Sequence, residues 1–93
     1  MHYLYILFSE KINRFYVGET NDVEFRIKLH NDHHFKSSFT NAANDWKVAL
    51  KFETACKEEA LYLEKFLKRM KSKKFIEKVI EEPSILQDLL KKR

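Results

Sequence analysis

The chain has 93 residues, of which 44% are hydrophobic and 14% aromatic, a formal net charge of +4 and a pI near 9.2. This length predicts one domain over residues 1–93, and the basic balance favours a polyanionic partner. A single cysteine, Cys56, excludes an internal disulfide and a cysteine-based zinc site. Since no apolar run has membrane-spanning length and the start is unlike a signal peptide, we expect a soluble cytoplasmic protein without a membrane partner.

The first two segments are typical of β-strands. Residues 2–8 alternate tightly and are rich in tyrosine and aliphatic residues, with apolar side chains on both faces. We therefore expect a central strand that is buried on both faces. Arg14–Thr20 is predicted as the second strand. Gly18 interrupts it, which indicates either a close approach to the backbone or a bulge.

The connection between these strands sets their register. A four-residue loop at 9–12 would place Phe8 opposite Asn13. In an antiparallel pair this register brings Tyr5 directly opposite Tyr16. The inference depends on the turn.

A helix is predicted next, with Asn21 as its N-cap and Glu24 completing a capping box. Arg26 and His30 are four residues apart, so they share one helical face. Such a pair is either an ordinary polar surface or part of a site. The positions expected to face inward are Val23, Ile27 and Phe25.

Residues 33–44 are polar and lack periodicity, which predicts a loop long enough to have a function. His33 and His34 are adjacent, and neighbouring histidines on a loop rarely bind one metal ion. Lys36 and the hydroxyl side chains near it suit contacts with phosphate.

Residues 46–53 alternate clearly, which predicts a strand with one core face. Its core side chains are expected to be Trp46, Val48, Leu50 and Phe52. Thr54 is predicted to cap a long helix that continues to about Met70. The core stripe of that helix is expected to be Ala60, Leu63, Leu67 and Met70.

Glu64 lies beside this apolar stripe rather than on the polar face. A carboxylate there needs a metal ion, a cationic partner or a cleft at the edge of the core. A half-buried salt bridge to Lys68, four residues on, is the simplest alternative to a metal site.

Two packing helices are predicted within residues 72–93. The first follows Ser72 and ends at Glu82 and Pro83, and the second begins at Ser84. The predicted order is therefore β-β-α-β-α-α-α, an α+β fold with a small three-stranded antiparallel sheet flanked by helices.

Four motifs occur in order on these elements: Tyr3-Leu4-Tyr5-Ile6-Leu7, Phe15-Tyr16-Val17-Gly18, Arg26 through His30-Asn31, and Ala60-Leu61 through Glu64-Lys65 and Lys68. Together they resemble the GIY-YIG nuclease superfamily, and most of all its small single-domain branch, over roughly residues 2 to 80. Two positions depart from the pattern. Tyr3 stands where the family name has glycine, and Glu19 stands where some branches have a lysine.

The resemblance implies a metal-dependent endonuclease with one Mg²⁺ or Mn²⁺ ion per site and its site groups within residues 3–64. The implied catalytic residues are Tyr5, Tyr16, Arg26, His30 and Glu64, with Glu64 as the metal ligand. The residues expected to bind nucleic acid are Gly18, Lys36, Lys65, Lys68 and Arg69. The general base is left between Tyr16 and Tyr5, with His30 assisting.

The expected substrate is DNA with branched, flapped or single-stranded structure, in repair or recombination, with RNA as the alternative. A partner protein could supply targeting. Two other functions stay open on the same scaffold: a non-catalytic nucleic-acid-binding module, and a protein-docking subunit that uses the C-terminal helices.

Overall fold

The computed structural model describes residues 1–32 and 43–93. In these ranges the elements are β1 (His2–Ser9), β2 (Arg14–Thr20), α1 (Val23–Asn31), β3 (Lys47–Thr54), α2 (Lys57–Met70), α3 (Lys73–Glu81) and α4 (Ser84–Lys91). The strands pair antiparallel in the order β2-β1-β3. The predicted α+β class and element order are confirmed.

β1 is the central strand, as predicted, and it is buried on both faces. Leu4 and Ile6 point to one face and Tyr5 and Leu7 to the other, all of them 2% exposed or less. The two faces form separate apolar clusters. Helices α2, α3 and α4 cover the Leu4 face, whereas α1 and the segment before β3 cover the Tyr5 face.

The turn between β1 and β2 lies one residue later than predicted. Ser9 remains in the strand and pairs with Arg14, so residues 10–13 form the turn. The Ser9 hydroxyl donates to the Asp45 carboxylate at 2.5 Å, and the backbone N–H of Lys11 donates to its other oxygen at 3.1 Å. Asn13 takes the left-handed conformation that the turn requires, with φ 53°. A distant side chain, Asp45, therefore holds the turn in place.

This turn changes the register by two residues. Tyr5 pairs with Gly18, and Tyr16 pairs with Leu7. The prediction that Tyr5 lies directly opposite Tyr16 was wrong. The two tyrosines still share a face, because a shift of two residues preserves the alternation of side chains.

A bulge in β3 separates the cluster contacted by the apolar side chains of the strand from the cluster contacted by Trp46, which precedes it. Ile6 pairs with Leu50 but Leu7 pairs with Val48, which leaves one extra residue in β3. Leu50 therefore packs with the Leu4 cluster and Trp46 with the Tyr5 cluster. The prediction of a single core face for residues 46–53 was wrong.

Both predicted N-caps were also misplaced. The N-cap of α1 is Asp22, whose carboxylate accepts from the N–H of Phe25 at 3.1 Å. The N-cap of α2 is Cys56, whereas the Thr54 hydroxyl donates to backbone carbonyls. Three side chains predicted to face inward are exposed: Phe25 at 58%, Met70 at 47% and Val48 at 43%. Across the described ranges, no helix has both the length and the apolarity needed to cross a bilayer.

Candidate functional site

Three aromatic side chains from three elements meet on the Tyr5 face of the sheet. The Tyr16 ring lies 6.4 Å from the Tyr5 ring and 4.8 Å from the His30 ring, centroid to centroid. The Tyr5 hydroxyl lies 3.0 Å from His30 Nε2, and both residues are 2% exposed. Strand alternation and the following helix therefore bring together three of the predicted site residues.

The environment fixes the protonation of the Tyr5–His30 pair. Burial raises the pKa of the Tyr5 phenol well above its usual value of 10; Tyr16 adds to this rise and the Arg26 charge opposes it. Burial lowers the pKa of His30 to about 4, and the charge of Arg26 acts in the same direction. At neutral pH the phenol is therefore protonated and the imidazole is neutral. The tautomer of His30 sets the direction of their hydrogen bond: Tyr5 donates to Nε2 when the ring proton is on Nδ1, and accepts when it is on Nε2.

Gly18 explains how the Tyr5 ring reaches this position. A Cβ at residue 18 would lie 2.5 Å from the Tyr5 hydroxyl oxygen and 2.6 Å from the ring carbon that bears it. The predicted close approach to the backbone is thus made by Tyr5 itself. A contact of Gly18 with nucleic acid stays a prediction.

Arg26 lies one helical turn before His30 and faces a polar cavity of about 450 Å³. His2, Glu19 and Lys57 also line this cavity. The charge of Arg26 influences the pKa values of both Tyr5 and His30, which places its guanidinium within electrostatic range of the aromatic cluster. The cavity provides space for an anionic group beside Arg26.

Glu19 is a polar group of this cavity that was not selected from the sequence. Its Oε2 atom is buried and lies 3.3 Å from His2 Nε2, but it has no hydrogen bond of acceptable geometry within the described residues. Its charge contributes to the raised pKa of Tyr5. A carboxylate between Gly18 and Thr20 in a buried strand was the available signal, since burying such a group is costly.

Glu64 and Lys68 lie next to the cluster on α2. Lys68 Nζ is 2.7 Å from Glu64 Oε2, and the Glu64 side chain is 19% exposed. The same ammonium lies 5.4 Å from the centroid of the Tyr16 ring. The half-buried salt bridge that the sequence offered as the alternative is therefore present, and it joins Glu64 to the tyrosine cluster.

The family model of the GIY-YIG catalytic domain matches residues 1–77. The chain belongs to the GIY-YIG family. Members of this family are endonucleases and generally use divalent metal ions, so the domain implies a nuclease-type function on a nucleic acid substrate. Neither curated proteins nor solved structures give a match.

The GIY-YIG domain has one predicted metal ligand, the carboxylate of Glu64. Within the described part of the chain, no group of three or more histidine, cysteine, aspartate or glutamate side chains could enclose an ion. Mg²⁺ commonly binds through one or two carboxylates and completes its shell with water and phosphate oxygens. The half-buried carboxylate of Glu64, now neutralised by an ammonium group, fits that mode of binding.

The remaining predicted residues of the GIY-YIG domain lie further from the cluster or outside the described ranges. Lys65 and Arg69 are exposed on α2. Lys36 lies outside the described residues. Asn31, part of the third motif, bonds the backbone of Trp46 twice, at 2.8 and 3.0 Å. It fixes the end of α1, and with it His30, to the start of β3.

Proposed function

We propose that this chain is a metal-dependent endonuclease that hydrolyses DNA phosphodiester bonds. The main support is the convergence of the Tyr5–Tyr16–His30 cluster with a guanidinium from α1 and a carboxylate from α2. These groups can bind a phosphate, hold a metal ion and orient water, which are the requirements of phosphodiester hydrolysis.

Arg26 is assigned to the phosphate. Its head is always charged, and its forked donors match two phosphate oxygens, which a lysine does less well. Glu64 would hold one Mg²⁺ or Mn²⁺ ion, which supplies charge stabilisation at the phosphate and the leaving oxygen when bound. Lys68 would have to leave Oε2 for that binding, since it occupies this oxygen at 2.7 Å.

Tyr16 is assigned to orient the attacking water. The Tyr5 hydroxyl is protonated and directed at His30 Nε2, so it is a poor proton acceptor. His30 shares that hydrogen bond through Nε2 and, with a pKa of about 4, is a weak base at neutral pH. We therefore assign Tyr5 and His30 as positioning residues and favour Tyr16 over Tyr5 as the group that orients the water.

The proposed substrates are branched, flapped or single-stranded DNA in repair or recombination, with RNA as the alternative. Exposed Lys65 and Arg69 lie on the same helix as Glu64 and suit contacts with phosphates. Such contacts position a strand without reading its sequence. A partner protein would then supply targeting.

A panel of labelled DNA and RNA structures, incubated with Mg²⁺ or Mn²⁺, tests this function. We expect Arg26→Ala and Glu64→Gln each to lower the cleavage rate by about 100-fold or more. The matched controls Lys28→Ala and Glu58→Gln change exposed groups on the same two helices and should retain activity. No cleavage of any substrate, or equal losses in the controls, would refute the proposal.

One observation favours a second function, a non-catalytic binding module. Glu64 already has a cationic partner in Lys68, as a purely structural carboxylate would. This function predicts salt-sensitive binding to nucleic acid that needs no metal and survives Glu64→Gln.

A further inference from the structure

A groove of about 460 Å³ lies where the first hairpin meets the junction of α2 and α3. Its floor is apolar and consists of Phe15, Val17, Leu67 and Ile76. Its rim is basic and consists of Arg14, Lys68, Lys71 and Lys73. An apolar floor that includes an aromatic ring, between cationic edges, is the usual form of a site for unpaired nucleotides.

The groove is cationic, whereas the hollow beside it contains acidic side chains. None of its described lining residues is acidic. A neighbouring hollow of about 370 Å³ shares Asn13 and Phe15 with it but also contains Glu77 and Glu81. A phosphate chain would be repelled from that hollow, so it would leave Phe15 along the cationic rim.

Lys68 connects this rim to the candidate site. It lines the groove, and its ammonium lies 2.7 Å from Glu64 Oε2 and 5.4 Å from the centroid of the Tyr16 ring. A strand that follows the rim therefore reaches the ammonium group that contacts both Glu64 and the Tyr16 ring.

Lys71 occupies an unfavourable backbone conformation on this rim. It is the C-cap of α2 with φ 49°, a position where glycine is usually found. Left-handed backbone costs a residue with a side chain roughly 1 kcal/mol. A lysine at this position retains a cation on the groove at a cost in stability, which points to a functional role for the side chain.

We propose that this groove binds the unpaired strand of the nucleic acid substrate beside the cleavage site. One base stacks on Phe15, and the phosphates follow the basic rim to Lys68. The inference rests on the proposed nuclease function and adds the place where the unpaired strand binds.

Fluorescence anisotropy with labelled oligonucleotides tests the rim, in EDTA to prevent cleavage. Lys71→Gly should weaken single-strand binding about threefold or more and reduce the slope of log affinity against log salt by about 0.7. The same change should raise the melting temperature, because glycine suits the left-handed backbone. Lys92→Gly is the matched control, since Lys92 is an exposed helix C-cap in the ordinary right-handed region and outside the groove.

Phe15→Leu tests the floor, because it keeps an apolar side chain and removes the aromatic face. We expect single-strand affinity to fall about fivefold or more while duplex affinity changes little. Single-stranded DNA and RNA of one sequence show which backbone the groove accepts. Melting curves verify the fold, because the Phe15 ring lies 4.8 Å from the Phe8 ring.

The outcomes separate this inference from the proposed function. Equal binding by wild type, Lys71→Gly and Phe15→Leu would overturn the proposal that the groove binds the strand, even if cleavage depends on Arg26 and Glu64. Weakened binding in both groove variants without any cleavage would support the groove and overturn the nuclease function. A loss of duplex affinity equal to the loss of single-strand affinity would overturn the stacking of an unpaired base.

Discussion

Because the Tyr5 ring lies over Gly18, even the smallest substitution of Gly18, to alanine, should disturb the site. A Cβ would lie 2.5 Å from the Tyr5 hydroxyl and 2.9 Å from the nearest ring carbon that is not bonded to it. Since Tyr5 is 2% exposed, its ring cannot swing into solvent without loss of packing. We expect Gly18→Ala to destabilise the fold by about 1–3 kcal/mol in urea denaturation. It should also lower the cleavage rate, because Tyr5 would lose its hydrogen bond with His30.

A double-mutant cycle with Tyr5→Ala provides the control for this prediction. Once the Tyr5 ring is removed, Gly18→Ala should cost little, since the atoms it would meet are gone. Equal costs in both backgrounds would show that Gly18 is required for another reason.

The lowered pKa of His30 predicts a specific dependence of stability on pH. Its pKa is about 4 in the folded protein and 6.5 for the free side chain. Between these values the unfolded chain binds a proton that the folded protein does not, so stability falls as pH falls through this window. The free energy of unfolding should be about 2 kcal/mol lower at pH 5 than at pH 7 from this group alone. In His30→Gln this contribution should disappear, and an unchanged pH profile would show that His30 is not buried in its neutral form.

The common face of Tyr5 and Tyr16 was predicted correctly because the error in register was two residues, and an even shift keeps each side chain on its own face. Their pairing was not, because the position of the turn depends on a hydrogen bond between Ser9 and the distant Asp45. For Gly18, the sequence predicted the kind of contact but not the residue that makes it. The sequence indicates a close approach, whereas the identity of the approaching group depends on register.

At the scale of elements, α2 carries a cation that competes with the proposed metal ion. Lys68 neutralises Glu64, so its removal leaves the carboxylate available to a divalent ion. We expect Lys68→Met to raise the affinity for Mn²⁺ about two- to fivefold, the range of a partly exposed helical ion pair. Titration calorimetry on the chain without nucleic acid measures this directly.

Two variants on α2 serve as controls for that titration. Lys65→Met removes an exposed neighbouring charge and should leave the affinity unchanged. Glu64→Gln should abolish the site. Equal gains in Lys65→Met and Lys68→Met would indicate a general charge effect rather than competition for Glu64.

The elements themselves were predicted better than their ends and faces. Helical periodicity identified α2, but its start was misplaced because Thr54 bonds backbone carbonyls and leaves the cap to Cys56. Alternation identified β3, but the bulge places Trp46 and Leu50 in different clusters. Both errors arise from contacts with β1, which a local pattern does not contain.

At the scale of the whole molecule, the core extends beyond the catalytic motifs. Leu86 of α4 is fully buried in the same cluster as Leu4 and Ile6 of β1, although the family match ends at residue 77. The strand that carries Tyr5 therefore depends on packing from the last helix. We propose that the sheet and the four helices unfold as one cooperative unit.

Leu86→Ala tests this dependence. Removing a fully buried leucine should cost about 2–5 kcal/mol and lower the melting temperature by roughly 10 °C or more. Leu90→Ala, at a half-buried position on the same helix, should cost less. Near-ultraviolet circular dichroism of the tyrosines and far-ultraviolet ellipticity should melt together in both variants. An unchanged stability in Leu86→Ala would contradict the dependence of β1 on packing from α4.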